Sequence, residues 1–285
     1  MIADTELILN ADGSIYHLNL KPEDLAHTII LVGDPERVPI VSKYFDTIEV
    51  RKGKREFITH TGMLRGKRLS VLSTGIGTDN IDIVLNEIDA LINVDFTTKV
   101  LREDLRSVDI IRIGTSGSIQ GNIPVGTLLA SEFAVGFDTL MQFYVKSYTA
   151  AEQKLAEAVN RHFSNLSFSP YIGSANPALL KQFAMELPKG ITMTAPGFYG
   201  PQGRSVRTHN MYPDLIQKAN SFITKEGLYI TNLEMETAGI YALSNMFGHR
   251  ALSINAILAS RLHEEFCANP AEVIDSAIQY VLNRI

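Results

Sequence analysis

One short stretch, FYGPQGR at positions 198–204, combines turn-forming residues with two side chains suited to recognising a flat polar ligand. Its two glycines and its proline favour turn conformations and predict a loop. Gln202 supplies an amide that both donates and accepts hydrogen bonds, and Arg204 supplies a planar guanidinium. A loop that only reverses the chain requires neither group, so we interpret this stretch as a recognition loop.

Three further stretches contain small residues and arginines that could hold an anion. They are GDPER at 33–37, STGIGTDN at 73–80 and RIGTSG at 112–117. Small residues let backbone N–H groups approach a phosphate, and arginine donates two parallel hydrogen bonds. Taken singly, Gly33 and Gly75 are equally well explained by tight turns, and Arg37 by a surface ion pair. TGIG is only half of a dinucleotide-binding fingerprint.

Two carboxylates lie close together in NLEMETAG, at positions 232–239. Glu234 and Glu236 share one face if the backbone is extended there, and point to different faces once it is helical. The pair is typical of the acidic first turn of a helix, where the helix dipole favours negative charge. A hydroxyl-rich ligand is the alternative interpretation, because an ionised carboxylate accepts hydrogen bonds from two neighbouring hydroxyls.

Five apolar runs predict the buried strands that would position these stretches. The runs cover 28–33, 68–75, 109–117, 126–135 and 251–260. Apolar residues at three- and four-residue spacing predict a helix capped by Thr78 or Asp79. Further helices are predicted over 149–163 and 271–285. We therefore expect one α/β domain over residues 1–285, with helices on both faces of a sheet and ligands outside the carboxyl ends of the strands.

Composition limits the classes of function. The 285 residues are 45% hydrophobic and 20% charged, which is ordinary for a soluble globular protein. A formal charge of -5 gives no overall positive field, so we expect no nucleic-acid or membrane partner. Cys267 is the single cysteine, which excludes an internal disulfide and indicates a reducing, cytoplasmic location. The first residues lack the pattern of a secretory signal.

Eight short motifs, spread over most of the chain, together resemble the nucleoside phosphorylases of the purine and uridine phosphorylase superfamily. In chain order they are YHLNL, GDPERV, REF, STGIG, RIGTSGSIQ, FYGPQGR, NLEMETAG and ASRLHEE. Several occur across the superfamily, whereas the Gln and Arg of FYGPQGR mark its uridine-cleaving members. The resemblance implies a single-domain, three-layer α/β/α sandwich around a mixed central sheet.

The resemblance also implies roles for individual residues around one site. It places phosphate at Gly33, Arg37, Arg112 and Thr115, with Arg55 supplied by a neighbouring subunit. It places ribose at Glu234, Met235 and Glu236, with His17 reaching across the subunit interface to the 5′ hydroxyl. It places the base at Gly117, Phe198, Gln202, Arg204 and Arg261. From the sequence alone, His17 is more simply a surface or packed histidine.

Chemistry gives an independent reason for the base-binding pair. Uracil presents O2 and O4 as acceptors with N3–H between them, which a side-chain amide and a guanidinium satisfy together. Negative charge spreads onto these oxygens as the N-glycosidic bond breaks, so donors that tighten then lower the barrier. We expect phosphorolysis to uracil and α-ribose 1-phosphate with inversion at C1′, with Arg112, Gln202, Arg204 and Glu236 as the catalytic residues. Inorganic phosphate is a co-substrate, and no cofactor is expected.

Arg261 bears on the preference for the base. In purine-cleaving members of the superfamily an aspartate stands near this position and protonates the base, which an arginine cannot usefully do. A cation can favour a pyrimidine carbonyl instead. The alternative for Arg261 is a structural ion pair with Glu264 or Glu265.

Other features depart from the closest family pattern. Asn80 stands where some bacterial members have a serine that binds a monovalent cation at a dimer interface, so potassium held by Glu56, Ile76 and Asn80 is one expectation. The charged segment 93–108 resembles insertions found in dimeric relatives. Because His17 and Arg55 act between subunits in the family, we expect at least a homodimer with shared active sites.

Three functions remain open at this point. Phosphorolysis of uridine fits best. A purine nucleoside phosphorylase or a nucleoside hydrolase of the same fold is the second, and a catalytically silent nucleoside or phosphate sensor is the third. The many polar groups argue against the sensor, because buried charges without a partner are costly.

Overall fold

The computed structural model describes all residues from 1 to 285. The helices are α1 (Arg37–Ser42), α2 (Thr78–Asn93), α3 (Ala150–His162), α4 (Pro177–Phe183), α5 (Leu215–Ser221), α6 (Thr237–Phe247) and α7 (Pro270–Leu282). The first strands are β1 (Thr28–Val32), β2 (Thr47–Lys54), β3 (Phe57–Leu64), β4 (Lys67–Ser73), β5 (Val94–Asp95), β6 (Val100–Leu101) and β7 (Asp109–Ser118). The remaining strands are β8 (Leu128–Gly136), β9 (Tyr171–Ser174), β10 (Lys189–Thr194), β11 (Ile230–Glu234), β12 (Arg250–Ser260) and β13 (Glu265–Phe266).

Eleven strands form one mixed sheet. Its order is β13-β12-β8-β10-β11-β7-β1-β4-β3-β2, with β9 beside β8. Strand β12 also pairs with β7 in parallel, so β7, β12, β8, β10 and β11 close into a ring. Four strands form a parallel series in the order β4, β1, β7 and β12, so all four end at the same edge of the sheet. The sheet lies within a three-layer α/β/α sandwich, which confirms the predicted fold class.

Two large apolar clusters attach the helices to the sheet. The larger contains 47 buried side chains and includes residues of α1, α2, α6 and α7. The second contains 15 and joins α3 and α5 to β8, β10 and β11. Because the strands that end at the ligand-binding edge have their apolar side chains in these clusters, that edge is built on a close-packed core.

Helix α2 follows the predicted pattern. Its buried apolar stripe consists of Ile81, Val84, Leu85, Ile88, Leu91 and Ile92. The predicted cap on Thr78 or Asp79 was wrong, because the N-cap residue is Gly77, whose φ of 97° suits glycine. Helix α3 begins with a capping box, in which the Thr149 side chain accepts from Glu152 N and the Glu152 carboxylate accepts from Thr149 N.

Several strands were not predicted. Strand β2 alternates between exposed and half-buried residues and forms the edge of the sheet, so it lacks a continuous apolar run. Strands β10 and β11 are short and carry polar residues that are buried in the structure. Apolar patterning alone misses strands whose polar side chains bond to one another inside the protein.

Segment 93–108 includes the small β5–β6 hairpin. Its ends are buried at Asn93, Val94 and Val108, whereas Leu101 and Leu105 are exposed. No helix of the structure combines the length and apolar character needed to cross a bilayer.

Candidate active site

A cleft of about 780 Å³ opens at the carboxyl ends of β1, β4, β7, β11 and β12. This is the edge at which ligands were expected. Eleven residues with predicted roles line it: Gly33, Arg37, Arg112, Thr115, Gly117, Phe198, Gln202, Arg204, Glu234, Met235 and Glu236. The structure therefore brings together most of the predicted phosphate, ribose and base residues, whereas His17, Arg55 and Arg261 do not line the cleft.

Arg112 lies at the centre of a buried ionic cluster. Its NH2 atom lies 2.5 Å from Glu236 Oε2 and 3.0 Å from Glu234 Oε2, and all three side chains are almost completely buried. Burial opposes the charge on Arg112, but the two carboxylates outweigh it and raise the pKa of this guanidinium. Arg112 therefore stays positively charged, and the carboxylates of Glu234 and Glu236 compensate its charge.

Glu234 caps the beginning of helix α6. Its carboxylate accepts from the backbone N–H groups of Glu236 and Thr237 at 3.0 Å, and from the hydroxyls of Thr237 at 2.9 Å and Thr194 at 2.6 Å. The acidic first turn inferred from the sequence was wrong, because Glu234 ends β11 and Glu236 is the N-cap residue of α6, although the Glu234 carboxylate does accept from the backbone at the beginning of the helix. With these donors in place, its capacity to accept further hydrogen bonds is largely used.

Glu236 has fewer protein partners. Its Oε1 atom accepts from Gly77 N at 2.9 Å, and its Oε2 atom accepts from Arg112. Each oxygen retains a lone pair that can accept a ligand hydroxyl. Burial raises the pKa of Glu236, and Glu234 adds to this effect, whereas Arg112 opposes it. Of the two carboxylates, Glu236 has the greater capacity to bind hydroxyls in the cleft.

Arg37 has no carboxylate partner. Its one side-chain hydrogen bond is from NH1 to the carbonyl of Ile113 at 3.5 Å. Burial lowers the pKa of Arg37, and the neighbouring Arg112 lowers it further. The surface ion pair considered from the sequence was therefore wrong. Two neighbouring guanidiniums, one without an ionic partner, are an arrangement that an anion would stabilise.

The loop 198–204 contributes Phe198, Gln202 and Arg204 to the lining of the cleft. It contains a short 3-10 turn over Gly200–Gln202, after which Gly203 adopts a φ of 70°. The Arg204 NH1 atom donates to Phe198 O and to Gln202 Oε1, both at 2.6 Å, and the guanidinium lies 3.9 Å from the centre of the Phe198 ring. Gln202 is buried, whereas Phe198 is half exposed.

Arg261 donates a hydrogen bond from its guanidinium to the backbone of this loop. Its NH1 atom donates to Gln202 O at 2.9 Å, and its backbone N–H donates to Ser118 O at 2.8 Å. It forms no ion pair with Glu264 or Glu265, so that alternative was wrong. Burial lowers the pKa of Arg204, and the charge of Arg261 adds to the effect.

His17 and Arg55 lie outside the cleft of their own chain. The Nδ1 atom of His17 lies 2.7 Å from Glu87 Oε1, and Glu87 also accepts from the backbone N–H groups of His17 and Leu18. Arg55 is exposed at the turn between β2 and β3, with a φ of 57°. That each acts in a neighbouring subunit stays a prediction.

The expected cation ligands lie together at the rim of the cleft. Glu56, Ile76 and Asn80 all line it, and Asn80 Nδ2 donates to Glu56 Oε1 at 3.2 Å. A potassium ion requires oxygen ligands, but Asn80 presents its donor group to the carboxylate. That a potassium ion binds at these residues stays a prediction.

Some residues around the cleft were missed from the sequence. Asn255 and Ser253 contact Arg112 from β12, and Phe266 of β13 lines the cleft. The polar Asn255 within the otherwise apolar run INAIL was a visible signal, because a buried amide requires partners. Phe266 gave no such signal.

A nucleoside-sized cleft with paired arginines at one end and a polar recognition loop at the other defines a class of nucleoside-processing α/β proteins. Comparison with known proteins agrees. The model of the phosphorylase superfamily matches residues 27–283. The chain belongs to the phosphorylase superfamily, which confirms the family inferred from the motifs.

Individual relatives support this assignment. The chain is 32% identical over 257 residues to a uridine phosphorylase of Thermococcus kodakarensis, with 90% of this chain and 80% of the relative covered. It is 27% identical over 261 residues to a uridine phosphorylase of Haemophilus influenzae, with 89% of each covered. A Trypanosoma brucei nucleoside phosphorylase, whose crystal structure is described as showing uridine phosphorylase activity, superposes with a TM-score of 0.86 at 29% identity, over 98% of this chain and 97% of that one.

Proposed function

We propose that the protein is a uridine phosphorylase, a pentosyltransferase that converts uridine and phosphate into uracil and α-ribose 1-phosphate. The observation that carries this proposal is the convergence of Arg37 and Arg112 with Gln202 and Arg204 on one cleft, with Glu236 also lining it. The relatives named above support it, since the two curated ones are uridine phosphorylases.

The base preference follows from the order of polar atoms on the loop. Arg204 donates to Gln202 Oε1, so the two side chains lie side by side. Together they offer the Gln202 Nε2 donor, the Oε1 acceptor and the Arg204 donors in sequence. Uracil presents the complementary order of O4 acceptor, N3–H donor and O2 acceptor. Cytosine carries an amino group and an unprotonated N3, so two of its three positions are mismatched, and unpaired polar groups reject it.

The reaction proceeds by direct displacement. A phosphate oxygen attacks C1′, the N-glycosidic bond breaks, and the bonding electron pair moves to the uracil ring as the sugar inverts. Arg37 and Arg112 neutralise and orient the phosphate, and Glu236 accepts hydrogen bonds from the ribose hydroxyls. Gln202 and Arg204 stabilise the negative charge that develops on the uracil oxygens. Gly33 and Gly117 also line the cleft and let backbone groups approach the ligands, and Thr115 adds a hydroxyl for the phosphate.

We further propose that the active enzyme is a homodimer. In this assembly His17 of the partner subunit would bind the 5′ hydroxyl and the partner subunit's Arg55 would contact phosphate. The position of Arg55 beside Glu56, which lines the cleft, supports this proposal, because it places the β2–β3 turn at the rim. The lone cysteine supports a reducing, cytoplasmic location, in which the enzyme would salvage pyrimidines.

The experiment that tests the proposal follows the ultraviolet absorbance of uridine with and without inorganic phosphate. Loss of uridine only when phosphate is present is the expected result. Loss without phosphate would identify a hydrolase, and cleavage of inosine but not uridine would identify a purine phosphorylase. No turnover of any nucleoside would leave a binding protein.

A further inference from the structure

Arg112 is held on the side away from its carboxylates by a neutral amide. Its NH1 atom donates to Asn255 Oδ1 at 2.9 Å and lies 3.4 Å from Ser253 Oγ. Asn255 is fully buried in β12, between the core residues Ile254 and Ala256. Burial of an amide costs free energy unless its donor and acceptor groups are hydrogen-bonded. The hydrogen-bond partners of Asn255 therefore indicate its structural role.

The orientation of this amide is fixed by a buried chain of hydrogen bonds. The Thr192 hydroxyl donates to Asn232 Oδ1 at 2.8 Å, so it can only accept from the Ser131 hydroxyl, which lies 2.5 Å away. The Ser131 oxygen must then accept from Asn255 Nδ2, at 3.1 Å. This leaves Asn255 Oδ1 as the atom that faces Arg112, and the amide cannot flip without breaking the chain.

The chain ends at Asn232, beside Thr231, whose hydroxyl also lies 3.0 Å from the carbonyl of Ile191. The Asn232 Nδ2 atom donates to Ser116 Oγ at 2.9 Å, and its Oδ1 atom also accepts from Thr231 Oγ1 at 2.8 Å. All side chains of the chain from Asn255 to Asn232 are fully buried, so no solvent competes for these bonds. Because Arg112 NH1 can only donate, Asn255 Oδ1 must face it, and the directions of the bonds through Ser131 and Thr192 follow from that end of the chain.

The guanidinium of Arg112 is thus constrained on three sides. The carboxylates of Glu236 and Glu234 bind the NH2 atom, and Asn255 Oδ1 binds the NH1 atom. The guanidinium also packs against Gly114 so closely that any side chain there would overlap it. Carboxylates alone would draw the arginine towards themselves. The amide opposes this pull without adding a negative charge that would repel phosphate.

We propose that Asn255, oriented through Ser131, is a positioning residue that holds the Arg112 guanidinium in the pose that binds phosphate. The inference rests on the proposed phosphorolysis, since it assigns the anion at Arg112. It predicts that loss of the amide weakens phosphate binding selectively, whereas nucleoside binding at Gln202 and Arg204 is largely retained.

The test compares Asn255→Ala with the wild-type enzyme by calorimetric titration with inorganic phosphate and by steady-state kinetics. We expect the phosphate Kd and KM to rise about tenfold, within the range for hydrogen bonds to charged groups, and the uridine KM to change by less than about threefold. Ser131→Ala removes one of the two hydroxyls that bond to Asn255 Nδ2 and leaves Ser253, so it should produce a smaller rise in the phosphate KM.

Thr61→Val is the matched control. Thr61 is fully buried and shares a hydrogen bond with Ser70 at 2.6 Å, in β3 and β4 and away from Arg112. It should lower the melting temperature to a similar degree and leave the phosphate Kd unchanged. This variant separates loss of a buried hydrogen bond from loss of positioning.

The outcomes are distinguishable. Failure of the wild-type protein to bind phosphate would overturn the proposed function and this inference with it. Wild-type phosphate binding that Asn255→Ala and Ser131→Ala retain in full would overturn the inference alone. The same holds if both variants only lower the melting temperature, as the Thr61→Val control does. A selective rise in the phosphate Kd supports it.

Discussion

The two ends of the cleft are built differently. At the phosphate end, Arg112 comes from the middle of a central strand, and buried carboxylates and an amide from neighbouring elements hold it. At the base end, Arg204 lies on a loop and bonds mainly to that same loop, at Phe198 and Gln202. The first arrangement is part of the folded core, whereas the second depends on local contacts at a half-exposed surface.

This difference separates stability from function. Changing a residue at the phosphate end removes a partner from buried charged groups, so it should affect both folding and catalysis. Changing a residue at the base end should affect catalysis with little effect on folding. Loops on a rigid scaffold commonly carry specificity in this way.

The largest effect is expected for Arg112→Met. It leaves Glu234 and Glu236 buried without their cation, which costs about 3–5 kcal/mol of unfolding free energy, and it removes a phosphate ligand. Uridine phosphorolysis should fall below detection, and the midpoint of urea unfolding should decrease strongly. Wild-type stability of this variant would show that Arg112 and its two carboxylates do not stabilise the fold at the phosphate end.

Arg204→Ala tests the base end. The loss of one charge-assisted hydrogen bond in the transition state, worth roughly 1.5–3 kcal/mol, should lower kcat/KM for uridine by one to two powers of ten. The urea midpoint should stay within error of the wild type, measured alongside Arg112→Met. Near-normal turnover would remove Arg204 from the base site.

The raised pKa of Glu236 predicts a pH effect. The ionised carboxylate accepts hydrogen bonds from two ribose hydroxyls more strongly than the protonated acid does, so activity should decline as the pH falls through a pKa raised above the usual 4.5. The acid limb of kcat/KM for uridine, measured at saturating phosphate, should therefore lie above pH 4.5. Glu236→Gln should be less active and lack this limb. If the limb persists in Glu236→Gln, another group is responsible.

The smallest effect is expected for Phe198→Leu. The Arg204 guanidinium lies over the Phe198 ring at a half-exposed site, where such a contact is worth about 0.5–1 kcal/mol. The uridine KM should rise about two- to fivefold, with the phosphate KM unchanged. Phe198→Tyr is the matched control and should retain most of the affinity.

Much of the site was predictable because its motifs follow strands that are apolar and buried. Gly33 could be placed after one such strand and Arg112 within another, and the turn-rich loop pointed to Gln202 and Arg204, to which the family resemblance assigned the base. The buried chain beneath Arg112 could not be predicted. Ser131, Thr192 and Asn232 come from three different strands, and only the ring formed by β7, β12, β8, β10 and β11 brings them together.

The division of Glu234 and Glu236 was likewise beyond the sequence. Their spacing suits either an acidic helix start or a ligand site. In the structure the Glu234 carboxylate accepts from the backbone N–H groups at the start of α6, whereas Glu236 keeps free lone pairs. Which carboxylate bonds to the helix backbone depends on where β11 ends, at Glu234, and where α6 begins, at Thr237. Sequence patterns locate such boundaries only approximately.

A crystal structure of the enzyme with uracil and ribose 1-phosphate would examine both ends of the cleft at once. The phosphate should contact Arg37 and Arg112, the ribose hydroxyls should bond to Glu236, and the uracil edge should pair with Gln202 and Arg204. Ligands bound with the phosphate away from both arginines, or with the uracil edge facing solvent, would contradict the proposed reaction.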